Sequence, residues 1–215
     1  EVQAFFPSHK VYIEPFCGGG GMFFNKPKVY KNMVNDMDSE VFNLYMIVLD
    51  RKEELLKAFL QMPMHTDLFN HWKRTIPEDP LQKALMTLLL SNYCFMGLPA
   101  TMKADAASNK ANFEADLELT FSKLQDVNFH NKHFKDFLGK LPGDLPIDQT
   151  FIYADPPYLN SDKWQNRAYN MDTWSEKDVV KLFDSLVSTG FRFGVSEFDD
   201  PFIISTAILY GLNVK

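Results

Sequence analysis

The sequence is poor in cysteine, with only Cys17 and Cys94 among 215 residues. One pair of thiols cannot build a disulfide framework, so a cross-linked secreted scaffold is excluded and a reducing cytoplasm is expected. Long apolar runs are also missing. None approaches the roughly 18 residues of a membrane span, and the first residues show no signal-peptide pattern. Basic charge is scarce. The 22 Lys and Arg are outnumbered by 28 Asp and Glu, giving a net charge of −6, which argues against a generic polyanion binder. Repeats and low-complexity tracts are absent, so collagen-like, coiled-coil and disordered chains are excluded.

What is present is a globular composition, 46% hydrophobic with 20 Phe. A chain of this length buries about 70% of its unfolded surface and is expected to form one domain carrying a large insertion. The charge is uneven. Residues 141–200 hold eleven acids and five bases, whereas residues 51–140 hold eleven acids, twelve bases and four of the five His. Any nucleic-acid contact is therefore expected from the middle third.

Read along the chain, Val11–Glu14 predicts a strand that breaks into Gly18-Gly19-Gly20-Gly21, four of the ten glycines. A helix is expected after this turn. Met33-Val34 predicts a second strand ending at Asn35-Asp36. Asp38 then caps a helix whose apolar stripe is Val41, Leu44, Tyr45, Val48 and Leu49. Strand, glycine turn, helix, strand and acid open a parallel α/β sheet. Residues 51–124 read as mostly helical, with Asp79-Pro80 starting one helix well. Sheet-like segments resume at Asp126–Phe129, Thr150–Ala154, Phe191–Ser196 and Leu212–Val214. Ser175 and Asp178 predict a capping box for the helix that Gly190 stops.

Two motifs carry chemistry. A glycine turn after a first parallel strand lets backbone approach a ligand, and a following helix favours a negative group. Asp36, 18 residues past Gly18, stands where an acid typically bonds ribose hydroxyls. An adenosine-containing cofactor is therefore expected. The nicotinamide fingerprint fits poorly, because Phe23 stands where its third glycine belongs. The second motif is Asp155-Pro156-Pro157-Tyr158, which leaves a strand at the ligand-binding edge. It suits methylation of an exocyclic aromatic amine, whose lone pair is conjugated into the ring. The Asp155 carboxylate and the Pro156 carbonyl, pre-set by two fixed φ angles, can hold the two amine hydrogens. Tyr158 can stack on a base that has left the duplex.

Glu14-Pro15-Phe16-Cys17-Gly18-Gly19-Gly20, then Asn35-Asp36, then Asp155-Pro156-Pro157-Tyr158 together resemble the Dam-like DNA adenine methyltransferases. The resemblance runs over nearly the whole chain in the family's order, with local matches at residues 38–48, 133–136, 174–176 and 191–196. It implies a Rossmann-like class I methyltransferase sheet using S-adenosylmethionine and no metal, and adenine-N6 methylation in restriction-modification or phage systems. Pro15, Phe16, Gly18, Gly20, Asp36 and Asp155 match cofactor positions. Phe134 lies in the segment whose backbone reads the cofactor adenine. Residues 155–158 match the catalytic motif. Residues 1–50 and 126–215 are expected to form the catalytic domain, and 51–125 a helical target-recognition insertion. Within it Asn92, Tyr93, Phe95, Met96 and Lys103 are the candidate DNA contacts. The implied partner is double-stranded DNA with a flipped adenine, bound by a monomer or weak dimer.

The chain departs from the family in three places. It starts without the segment containing Trp and Gly-Gly-Lys, stops before the family's final strands, and has Ala100 or Thr101 where an arginine reads guanine. It is therefore expected to represent less than the whole protein. Two rival readings are methylation of RNA or of a protein amide, and a non-catalytic DNA-binding module. Cys17 reads as a small packing residue, and the histidines show no metal-ligand spacing. Lys110 reads either as a phosphate contact or as a solvated loop lysine.

Overall fold

The structure is a computed structural model that describes residues 2–92, 110–159 and 174–215. The chain divides into two compact units, one of residues Glu1–Met37 with Val127–Lys215 and the other of Asp38–Asp126.

The first unit is built on a five-stranded sheet, all parallel: β1 (Val11–Glu14), β2 (Lys31–Asn35), β3 (Val127–His130), β4 (Thr150–Ala154) and β5 (Arg192–Val195), in the order β3-β2-β1-β4-β5. β1 and β4 are buried along their whole length. That is why both read as continuous apolar runs rather than alternating ones. Ile13 pairs with Met33 on one side and Ile152 on the other, so the centre of the sheet is aliphatic.

The second unit is helical: α1 (Ser39–Asp50), α2 (Lys52–Gln61), α3 (Thr66–Trp72), α4 (Pro80–Asn92) and α5 (Phe113–Leu124). The sheet unit contains α6 (Phe134–Leu138), α7 (Glu176–Ser188) and α8 (Pro201–Leu209). α7 lays Val179, Leu182, Phe183 and Leu186 against the sheet core. Its start is fixed as the sequence suggests: the Asp178 carboxylate accepts from both the backbone N–H and the Oγ of Ser175. The two hydrogen bonds, with Lys181, hold that carboxyl below its usual range.

Two expected elements are different. Residues 21–25 form a turn, not a helix. Two helical bonds form, from the Phe24 N–H to Gly20 O at 2.8 Å and from the Lys26 N–H to Met22 O at 3.1 Å, but Pro27 has no N–H to donate and disfavours helical backbone at Lys26, so the segment goes no further. Leu212–Val214 is not a strand. Gly211, with φ of 70°, reverses the chain, and the Leu212 N–H is spent on Ala207 O at 2.9 Å, capping α8.

In the helical unit, α1 packs on α4, and α2 and α5 pack on each other. α1 therefore groups with the insertion helices, whereas the sequence-based division keeps it with the sheet. Asp38 caps α1 by accepting from Glu40 N–H at 2.7 Å, and Asp79 caps α4 by accepting from Gln82 N–H at 2.8 Å. Phe59 and Phe113 stack at 3.7 Å, and Lys52 bridges to Glu118 at 2.5 Å. Lys110 donates to Leu60 O and Met62 O at the end of α2. It therefore serves a helix C-terminus, which favours a cation. Two of the histidines also act as caps: the Nδ1 atoms of His65 and His133 accept from Asp67 N–H and Lys135 N–H.

Candidate active site at the carboxyl edge of the sheet

The strand order gathers the motifs. β2, β1 and β4 are consecutive neighbours, so Asp36, the glycine turn and the Asp155 tetrapeptide, far apart in sequence, leave the same edge side by side. The chain winds outward from β1 through β2 to β3 and then restarts at β4. That makes the gap between β1 and β4 the topological switch point where such sheets bind ligands.

The glycine turn is built around two residues with positive φ, Gly18 at 49° and Gly20 at 72°. Gly18 donates its N–H to Asp36 Oδ2 at 2.6 Å, and Cys17 donates to Asn35 O at 2.9 Å. The motifs after β1 and β2 are thus bonded to each other. Asn35 is fully buried and holds a third segment. Its Nδ2 donates to Pro15 O and Lys132 O, both at 2.9 Å, and its Oδ1 accepts from Lys132 N–H at 3.0 Å. This brings the approach to Phe134 beside the turn. Phe16 and Phe134 lie 5.3 Å apart, and Trp174 meets Phe16 edge-on at 5.8 Å.

On the other side of β1, Tyr158 donates its hydroxyl to Asp155 Oδ1 at 2.8 Å. Burial raises the Asp155 carboxyl above its usual range, against the pull of that hydrogen bond. Pro156 is buried, and Pro157 and Tyr158 are half-buried. The Tyr158 ring meets Phe198 in a T-shaped contact at 4.6 Å. Glu14 at the end of β1 is buried and accepts from Tyr12 Oη at 2.7 Å. Its carboxyl is pushed up to about 8, first by burial, with the charges of Asp155 and Asp36 adding to it. Glu14 is therefore held protonated and uncharged at neutral pH, next to the acidic Asp36 and Asp155.

Of the residues expected from sequence, Pro15, Phe16, Gly18, Gly20, Asp36, Phe134 and Asp155 to Tyr158 are all on or beside this edge. Asn92 ends α4 in the helical unit. Tyr93, Phe95, Met96 and Lys103 lie outside the described residues. Sequence reasoning gave no role to Asn35, Glu14, Glu197 or Phe198. Each is a polar or aromatic residue at or just past a strand end, which is the one signal that pointed to them. Among the described residues no group of three or more His, Cys, Asp or Glu could hold a metal ion. No described helix is long and apolar enough to cross a membrane.

A parallel sheet with a glycine turn after β1, an acid after β2 and an Asp-Pro-Pro-Tyr exit from the adjoining β4 defines a Rossmann-like methyltransferase. Residues 1–213 match the D12 class of N6 adenine-specific DNA methyltransferases, and the chain belongs to that family. A DNA adenine methylase of Serratia marcescens is 25% identical over 199 residues, spanning 85% of this chain and 70% of its own. A DNA adenine methylase of Escherichia coli (strain K12) is 23% identical over 216 residues, with 93% and 76% covered. A type II methyltransferase of Lactococcus lactis subsp. cremoris is 22% identical over 226 residues, with 88% and 72% covered. The activity is methylation of adenine in DNA, an enzymatic one.

Proposed function

We propose that this edge binds S-adenosylmethionine and presents its methyl group to the exocyclic amine of an adenine turned out of double-stranded DNA. The observation that carries the reading is the convergence of Asp36 and Asp155 on either side of the β1 glycine turn. The site's chemistry fits the cofactor: Asp36 and Asp155 set acidic side chains on either side of the glycine turn, which suits a ligand carrying a sulfonium and an ammonium group. When bound, the cofactor supplies a methyl group activated by that sulfonium.

Pro15, Phe16, Gly18 and Gly20 shape the turn that would hold it. Asp36, oriented by the Gly18 N–H, is set to accept from ribose hydroxyls, and Phe134 lies in the segment whose backbone would read the adenine. The Asp155 carboxylate and the Pro156 carbonyl accept the two amine hydrogens of the target base, freeing its lone pair from the ring. Asp155, whose carboxyl is raised by burial, can take up the proton the amine loses after transfer. Tyr158 stacks on the base. Asp38–Asp126 acts as the target-recognition unit, with Asn92, Tyr93, Phe95, Met96 and Lys103 as DNA contacts. A monomer or weak dimer in the cytoplasm of a bacterial or phage-infected cell fits the bacterial and phage relatives, in a restriction-modification or phage modification setting.

Tritium transfer from labelled cofactor into unmethylated DNA, RNA and protein tests the reading. Label in DNA adenine alone is expected. Asp155→Ala is expected to abolish it while calorimetry still detects cofactor binding. Label in RNA or protein, or full turnover by the variant, would overturn the assignment.

A further inference from the structure

Resting on that reading of the site, we infer that Glu197, just past β5, is a positioning residue for the catalytic tetrapeptide. Its carboxylate anchors the backbone where the chain leaves Tyr158, and the adjoining Phe198 braces the Tyr158 ring.

The need for an anchor follows from the motif's composition. Pro156 and Pro157 have no N–H, so half of the tetrapeptide's backbone donors are missing. The first amide past the motif belongs to Leu159, whose side chain is buried in the sheet core. That amide points at Glu197 and lies 3.3 Å from both Oε1 and Oε2. One residue earlier, Ser196 Oγ bonds the Tyr153 hydroxyl at 2.6 Å, and the Ser196 N–H bonds Ala154 O at 2.9 Å. One residue later, Phe198 N–H returns to Glu197 Oε2 at 3.1 Å, and its half-exposed ring abuts Tyr158. Three consecutive residues of one strand exit thus grip β4 and its exit at successive points. Tyr158, which carries the Asp155 hydrogen bond, is held between them.

A carboxylate is costly here. Glu197 is half-buried and its carboxyl is pushed up to about 7, chiefly by burial. The charges of Asp200 on its own segment and Asp155 at the β4 exit add to this, and Tyr158 also faces it. An apolar side chain could fill the space without that cost, but it could not receive the Leu159 amide. Protonation turns one oxygen into a donor and weakens the two-oxygen grip. The anchor therefore loosens as pH falls through about 7.

Single-turnover methyl transfer across pH, with cofactor affinity by calorimetry, tests this in Glu197→Ala, Glu197→Gln and Asp155→Ala. Glu197→Ala is expected to slow transfer on the order of tenfold to 100-fold, as small misplacements of reacting groups do. Cofactor affinity is expected to stay within about threefold. Glu197→Gln keeps an acceptor oxygen without a titrating proton, so it is expected to retain most of the rate and lose the acid limb near pH 7. Wild-type rate and pH profile in Glu197→Ala would overturn the inference. Should that variant not fold, an unchanged acid limb in Glu197→Gln overturns it. Turnover retained by Asp155→Ala topples the site reading itself. An inactive Asp155→Ala beside wild-type Glu197 variants topples only the positioning role.

Discussion

Gly18 shows how one residue's backbone freedom serves the site. Its φ of 49° is a conformation that side chains rarely adopt, although a Cβ there would meet nothing within 4 Å. Gly18→Ala should therefore cost about 1–2 kcal/mol of backbone strain rather than a clash. Thermal unfolding should show that loss, and cofactor affinity should fall with it, because the Gly18 N–H orients Asp36. Glu14 gives a pH signature. Its folded-state value, raised from 4.5 to about 8, means that the folded protein holds this proton more tightly than the unfolded chain. The stabilisation is complete below the unfolded value of 4.5 and is lost as pH rises through about 8. Glu14→Gln should accordingly raise the melting temperature of cofactor-free protein at alkaline pH relative to wild type. Little difference is expected at mildly acidic pH. At this scale the sequence was legible in the positive-φ glycines and in the placement of Asp36 and Asp155 at the exits of strands flanking β1. It was not legible for Asn35, whose three bonds reach Pro15 and Lys132 across neighbouring strand exits and exist only once the sheet is assembled.

Elements were legible where local signals agreed. The Ser175–Asp178 capping box and the apolar face of α7 were both readable, and both are found. Asp178→Ala should cost about 1 kcal/mol in unfolding experiments, the usual worth of such a cap. In α4, Leu89 is fully buried, and Leu89→Ala should cost about 2–5 kcal/mol, depending on how far the helices relax into the space. Reading failed where a short apolar stretch had to choose a partner. The segment 21–25 lacks the length to propagate a helix. Leu212 uses its amide to close α8 rather than to join the sheet. A sliding pattern cannot see either outcome, because each depends on a neighbouring bond.

For the whole molecule, the parallel sheet was readable from its strand–turn–acid order. The expected boundary at residue 50 and the compact unit that begins at Asp38 differ by α1, which packs on α4. The net charge of −6 also takes on meaning at this scale. Part of it lies at the sheet edge, where Asp36 and Asp155 stand on either side of the glycine turn. The proposed role of Asp155 in methylating adenine in DNA is open to direct test. The most direct test is sequencing that detects N6-methyladenine in the DNA of a methylation-deficient host expressing the gene or its Asp155→Ala form. Methyl-adenine is expected at one recurrent sequence with the wild-type gene and nowhere with the variant. Unmodified DNA with both, or equal modification with both, would contradict it.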